Sequence, residues 1–354
     1  MPFQERSAIL REIGTELDAG ALAYVTGDRE NLETEVSTDV LRRIPRHLEA
    51  TGKQDRLALV LYTLGGDTNT PWPLVNFLRG YCEELFVLVP FWAHSAGTLI
   101  ALGADRIYMT RFGTLGPIDP SVTNEFNPQD PATDDKTPIA VEDVLAFFQL
   151  ASEQDVGDTG LAADAFRQLA ESVHPLALGN VKRTIEQIER LAKKLIRLHT
   201  PDTDEAALTE LVRQMTTEPY CHSHMFARAE AAAIGLPVEQ PSEDLEARVL
   251  AYYDHLKADL ELLEKFDAGA MLRASRQPPV PDTPPAPLPV VFERAYIETP
   301  DTCDAFVTRG VITQQPWTRE QPQVITTPED QEEAPPRSPD ASLEVTSERW
   351  ETIA

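Results

Sequence analysis

Leu57-Ala-Leu-Val-Leu-Tyr-Thr-Leu-Gly-Gly-Asp-Thr68 and, further on, Val89-Pro-Phe-Trp-Ala-His-Ser-Ala-Gly-Thr98 decide the reading of this chain. Each is an apolar run that breaks into small residues, which is how a strand buried on both faces of a sheet ends at a turn. Adjacent glycines let backbone N–H groups turn outward and let a ligand approach the main chain closely. In a parallel sheet both strand ends emerge on one edge, where the sites of α/β folds lie. Ser95 opens a segment of small residues, so its hydroxyl and the N–H of Ala96 can face a bound carbonyl, with Gly65 and Gly66 as further donors. That is the arrangement an acyl-transfer nucleophile and its oxyanion hole require. The plainer alternative makes Ser95 a helix N-cap and Gly65-Gly66 a tight turn.

Working outward, short β-like runs alternate with amphipathic segments up to about residue 125, the signature of an α/β unit with a buried parallel sheet. Strands are expected at Ala21–Thr26, Leu57–Thr63, Leu85–Pro90 and Arg106–Thr110. Helices are expected at Trp72–Glu83 and Ser95–Ala104, and beyond a polar loop (124–136) at Val141–Ser152, Leu176–Leu198, Asp204–Met215 and Ser242–Phe266. The longest of these carries Val181, Ile185, Ile188, Leu191, Leu195 and Leu198 on one face, with Ala177, Leu178, Ala192 and Ile196 flanking it. So wide an apolar stripe needs cover from the chain's own C-terminal helices or from a second copy.

Composition narrows the function classes. The 354 residues are 42% hydrophobic and carry 31 Lys+Arg against 58 Asp+Glu, a formal net charge of −27. Nucleic acid and anionic membrane surfaces would be repelled. Neither a signal-like apolar core nor a run long enough to span a bilayer is present, so a soluble protein without a membrane span is expected. Cys82, Cys221 and Cys303 are odd in number and far apart, which argues against a disulfide framework and for a reducing cytoplasm. Cys221-His222-Ser223-His224 lacks an acidic or cysteine partner at useful spacing, so no metal site is expected there, and no cofactor elsewhere. About half of the 29 prolines follow Gln277. The chain is therefore divided into a domain at 1–270 and a Pro-rich, acidic, partly disordered extension at 271–354. Within the extension, Val290–Glu298 and Phe306–Ile312 are apolar enough to dock as strands or short helices.

The order of these parts resembles the Clp-protease and crotonase-like superfamily: strand, Gly-Gly-Asp, helix, strand, Ala-His-Ser-Ala-Gly-Thr, a small-residue helix, Ala104-Asp-Arg-Ile107 and Leu115-Gly-Pro-Ile-Asp-Pro120. Within it the chain looks most like the serine dehydrogenase proteinase family, relatives of signal peptide peptidase A, over about residues 20–240. The resemblance implies an α/β fold with a mostly parallel sheet flanked by helices. It also implies a serine peptidase that works without ATP as a single chain. Carried over, Ser95 stands at the nucleophile, Gly65, Gly66 and Ala96 at the oxyanion donors, and Leu115–Pro120 at the loop beneath the site. His224–Ala231 and Ile234–Val238 stand at the closing helix and strand.

The general base departs from the Clp pattern, whose histidine would fall near Ile118 or Asp119, where this chain has none. A lysine is the alternative in signal peptide peptidase relatives, and Lys136 and Lys182 are suitably placed downstream. A third solution is His174, oriented by Asp119 in a triad with two members exchanged. His94 adjoins the nucleophile but is expected to point the other way. The partners expected are a peptide or protein substrate and further copies of the chain, as a homo-oligomer. Two other readings remain open at this point: a non-catalytic peptide-binding or scaffold protein, and a crotonase-type acyl-CoA hydratase or isomerase that would need no serine.

Overall fold

The computed structural model describes residues 2–118, 121–122, 127, 136, 139–154, 160–216, 224–275, 286–314 and 341–354. Helix α1 (Pro2–Leu17) leads into β1 (Gly20–Thr26), then α2 (Ile44–Thr51), β2 (Gln54–Tyr62), α3 (Pro71–Arg79) and β3 (Cys82–Val89). After the short β4 (Trp92–Ala93) come α4 (Ala96–Leu102), β5 (Arg106–Met109) and β6 (Thr114–Leu115), and then the paired β7 (Ser121–Val122) and β8 (Ile139–Ala140). Helices α5 (Val141–Gln154), α6 (Leu161–Ser172), α7 (Pro175–Ile196) and α8 (Glu205–Thr216) follow. The remaining elements are β9 (Phe226–Ala227), α9 (Arg228–Ala233), β10 (Val238–Glu239), α10 (Glu243–Asp259), α11 (Ala268–Ala274), β11 (Leu288–Glu298), β12 (Cys303–Gln314) and β13 (Ala341–Thr352).

Among the described residues the main sheet has eight strands in the order β10-β5-β3-β2-β1-β11-β12-β13. The first five are parallel, joined by helical crossovers as parallel neighbours must be. Alternation along the strands sorts their side chains between two layers. Leu22, Tyr24, Leu57, Leu59, Leu61 and Val87 pack on one face against α2, α3, α4, α7 and α8. Ala23, Val25, Ala58, Val60, Tyr62 and Leu88 pack on the other, against α1 and α10. Both faces are covered, which is why these strands read as unbroken apolar runs.

The expected strands fall where the sequence put them, and so do the helices, with two differences. The helix expected to reach Phe266 ends at Asp259. The helix after Gly66 stops at Arg79, because Cys82 already pairs with Gln54 in the sheet. Helix α1 was not foreseen, although Leu10 and Ile13 are buried on its inner face.

The C-terminal segment differs from a simple Pro-rich tail. Strand β11 pairs antiparallel with β1 through Ala23↔Glu298 to Thr26↔Ala295, and β12 and β13 extend the sheet. The sheet therefore runs across the division at residue 270. Pro289 is accommodated because it lies beyond the part of β11 that faces β1. Two buried polar groups fasten these strands to the helices. Arg6 of α1 pairs with Glu298, which also accepts from the Tyr252 hydroxyl at 2.6 Å. His47 of α2 faces Asp304 of β12 at 3.5 Å. Residues 276–285 and 315–340, which hold most of the late prolines, lie outside the described residues.

Of the two covers expected for the wide apolar stripe of α7, the chain itself supplies that of Ala177, Ala192 and Ile196, which are buried. Exposed apolar side chains on the neighbouring helices include Leu150 of α5, Phe166 of α6 and Leu176 at the start of α7.

Candidate active site

Strand β2 ends at Tyr62, and Thr63 continues it by exchanging backbone hydrogen bonds with the next strand end. The Thr63 N–H donates to Trp92 O and the His94 N–H to Thr63 O, both at 3.0 Å. This lateral pairing brings the two glycines beside Ser95. A Cβ built on Gly65 would lie 2.7 Å from Ser95 Cβ and 3.0 Å from His94 O. Gly65 has φ +117° and Gly66 φ +137°, conformations that L side chains rarely adopt. Both positions thus need glycine, one for lack of space beside the serine and both for their backbone angles.

Ser95 precedes α4 with φ +49° and ψ −112°. A non-glycine residue at such angles carries strain of about 1–3 kcal/mol, which persists where surrounding packing enforces it. Here the enforcement is visible. Gly97, one turn-step along, packs so tightly that a Cβ would sit 2.5 Å from Thr63 Cγ2. Thr98 is fully buried, and its hydroxyl lies 2.7 Å from Ala93 O and 2.9 Å from Gly116 O, while Gly116 N–H donates back to it at 3.1 Å. The Ser95 side chain itself caps nothing, so the plain N-cap alternative does not describe it.

The backbone donors divide. Gly65 N–H donates to Thr63 Oγ1 at 3.0 Å, and that hydroxyl also receives the Thr26 hydroxyl at 2.6 Å. The Gly65 N–H is thus engaged within its own loop. Segment 34–36 clamps the loop from behind: Val36 N–H donates to Gly65 O at 2.7 Å and Asp67 N–H to Val36 O at 2.8 Å. Because these bonds flank Gly66 in a parallel bridge, the N–H of Gly66 turns to the opposite side. Ala96, in the first turn of α4, has an N–H that the helix cannot satisfy internally. Thr26 and Thr63 were missed by sequence reasoning; each is the polar residue that ends a buried run, and that was the available signal.

The proposed bases are placed very differently. His174 is exposed and caps α7, its Nδ1 accepting from Leu176 N–H at 3.2 Å. Lys182 lies on the outer face of α7, 73% exposed, and pairs with Glu186 at 3.2 Å. Lys136 is half-buried, and its ammonium donates to the carbonyl of the buried Asn127 at 3.3 Å. Among the described residues Lys136 has no carboxylate partner. No hydrogen bond joins any of the three to the Ser95 hydroxyl. Asp119 lies outside the described residues.

His94 turns away from the nucleophile, with Nε2 2.9 Å from Thr114 Oγ1 and its ring against Gly116. The loop beneath the site is anchored where Ile118 N–H donates to Met215 O at 3.0 Å. The closing segment has the expected order: β9 pairs with β6, α9 follows, and β10 adds to β5. Cys221, His222 and Ser223 lie outside the described residues, while His224 bonds Glu230 at 2.9 Å. No helix among the described residues is long and apolar enough to cross a membrane.

Comparison with known proteins places this geometry in context. Residues 31–146 match the family model of the ClpP-like SDH-type serine proteinases, a segment that holds the glycine loop, Ser95 and Lys136. The match bears out the resemblance drawn from the sequence motifs. Two Methanocaldococcus jannaschii proteins described as uncharacterized are each 28% identical to this chain. One aligns over 205 residues, 58% of this chain and 59% of its own length, and the other over 165 residues, 46% and 50%. The chain thus spans little more than half the length of these relatives. A solved structure of the 1510-N membrane-bound stomatin-specific protease, in a serine-to-alanine form, aligns at a TM-score of 0.38 with 14% identity, over 65% of this chain and 85% of that one.

Proposed function

We propose that this chain, a ClpP-like SDH-type serine proteinase by its residues 31–146, is a serine peptidase whose nucleophile is Ser95. The observation that carries the reading is the strained Ser95 backbone held against Gly65 at the junction of two parallel strand ends. In this reading Ser95 Oγ attacks a peptide carbonyl while a base takes its proton. The N–H groups of Gly66 and Ala96 receive the developing oxyanion, and an acyl-enzyme forms on the serine. The base returns its proton to the leaving amine, then activates a water that releases the acyl group. No step calls for a cofactor.

For the base we favour Lys136. It lies within the matched segment, is half-buried and donates to Asn127 O at 3.3 Å, whereas Lys182 lies exposed on α7 and pairs with Glu186. The substrate is a peptide or protein. Homo-oligomerisation is proposed on the exposed Leu150, Phe166 and Leu176, and a reducing, cytoplasmic setting on the free thiols of Cys82 and Cys303.

Hydrolysis of a quenched fluorescent peptide library tests the reading. Ser95→Ala and Lys136→Met are expected to lower the rate by at least ~100-fold while Lys182→Met and His174→Gln leave it within about twofold. Full activity in Ser95→Ala would overturn the peptidase reading. Full activity in Lys136→Met with loss in His174→Gln would move the base to the histidine.

A further inference from the structure

Immediately beyond the glycine loop, α3 and α7 enclose a groove of about 380 Å³ lined by Thr68, Asn69, Trp72, Arg183, Arg190 and Lys194 among others. Its volume lies within the range of roughly 300–1,000 Å³ typical of ligand pockets. The groove is joined to the catalytic loop: Asn69 Oδ1 accepts from Gln187 Nε2 of α7 at 2.9 Å, and Asn69 N–H caps back onto Asp67 at 2.9 Å. Thr68 is three residues from Gly65, a reach of at most about 11 Å along the chain. The Thr68 end of the groove therefore lies within about 11 Å of Gly65, the residue packed against Ser95.

The chemistry of the lining is out of keeping with the chain as a whole. Acidic residues outnumber basic ones by 58 to 31, yet the groove lining carries Arg183, Arg190 and Lys194 against one carboxylate, Glu186. Among the described residues neither Arg183 nor Lys194 forms an ion pair. Lys194 instead stands over the Trp72 ring, 5.6 Å from its centroid. Arg183 bonds the neutral amide of Asn180. Among the described residues Arg190 reaches a carboxylate only at Glu186, 3.6 Å away, which it shares with Lys182. Cations left without carboxylates beside an aromatic floor are arranged for a carboxylate brought by a ligand.

We propose that this groove is a specificity subsite for a carboxylate of the substrate peptide, either an acidic side chain or the free C-terminus. The proposal rests on the peptidase reading for where the peptide lies, but its own recognition step is separate from turnover. Arg183 and Lys194 bind the carboxylate, and Trp72 packs beneath the peptide stem. The overall charge of −27 would by itself favour neutral or basic peptides, so a preference for acidic ones isolates the groove.

The test uses the full chain carrying Ser95→Ala and fluorescence anisotropy with three labelled peptides of one length: glutamate-containing and C-terminally amidated, neutral with a free C-terminus, and neutral and amidated. At least one carboxylate-bearing peptide is expected to bind at least ~10-fold more tightly than the neutral amide, which is the scale of one charge-assisted contact. Whichever peptide gains identifies the carboxylate's source. Arg183→Glu with Lys194→Glu is expected to abolish the gain, and Arg183→Gln with Lys194→Gln, a milder exchange at the same exposed positions, to reduce it. Equal binding of all three peptides, or a gain that survives both pairs of substitutions, would overturn the proposal. A gain lost on charge reversal in a chain whose parent hydrolyses nothing would uphold the groove and count against the peptidase reading alone.

Discussion

Gly65 presses its Cα against the side chain of Ser95, with room for no more than hydrogen between them: an added Cβ would stand 2.7 Å from Ser95 Cβ. The contact couples the loop after β2 to the start of α4, so the two halves of the site are set by one packing interaction. Gly65→Ala is expected to displace the serine and to lower peptide hydrolysis by about 100-fold or more, since a shift of about 1 Å in a reacting group costs that much. A variant that is folded by circular dichroism and retains full activity would show that Gly65 does not position Ser95.

Gly97 and Thr63 make the corresponding contact beneath the helix. Gly97→Ala would place a methyl 2.5 Å from Thr63 Cγ2, in a fully buried setting, and is expected to cost about 1–3 kcal/mol. Thr63→Ser removes that Cγ2 and keeps the hydroxyl that receives Thr26 and Gly65. Combined with Gly97→Ala it is expected to recover most of the loss. Urea denaturation of both single variants and the double variant measures the coupling, and purely additive effects would contradict the contact.

How much of this was legible follows from what each feature depends on. The parallel strands and Ser95 were readable because strands buried on both faces leave apolar runs, and because a loop needing two positive φ angles leaves two glycines. The bond from the Gly65 N–H to the hydroxyl of Thr63, two residues back, was not legible, since it depends on loop conformation rather than on residue type. The Val36 clamp and the Arg6–Glu298 pair, 292 residues apart in sequence, are contacts no local pattern encodes. Proline density suggested a partly disordered extension after residue 270, while the apolar runs Val290–Glu298 and Phe306–Ile312 within it read as able to dock, and these lie in strands β11 and β12. Pro289 falls where β11 has passed β1, so the strands it borders could still join the sheet.

Stability is expected to fall as the pH drops below neutrality. His47 and His199 both have pKa values lowered from the usual value, in each case chiefly by burial; Asp304 opposes the effect at His47 and the hydrogen bond to Leu102 O opposes it at His199. A histidine with a depressed folded pKa binds fewer protons folded than unfolded, so stability is lost as the pH falls below the unfolded value of about 6.5. The carboxyls of Asp28 and Asp259, raised mainly by burial, titrate in the opposite sense, so a substitution is needed to isolate the histidine. His199→Gln keeps a donor toward Leu102 O, 3.1 Å from the native ring nitrogen, and removes the titration. Its melting temperature should depend less on pH between 7.5 and 5.5 than the parent's, and an unchanged dependence would contradict the assignment.

Covalent labelling of the full chain with a fluorophosphonate, followed by peptide mapping in the mass spectrometer, tests the central claim most directly, because it asks whether one hydroxyl behaves as an activated nucleophile before any substrate is known. The expected result is a single adduct on Ser95, absent from Ser95→Ala and strongly slowed in Lys136→Met. An unlabelled Ser95 in a folded chain, or a label that persists in Ser95→Ala, would contradict the account.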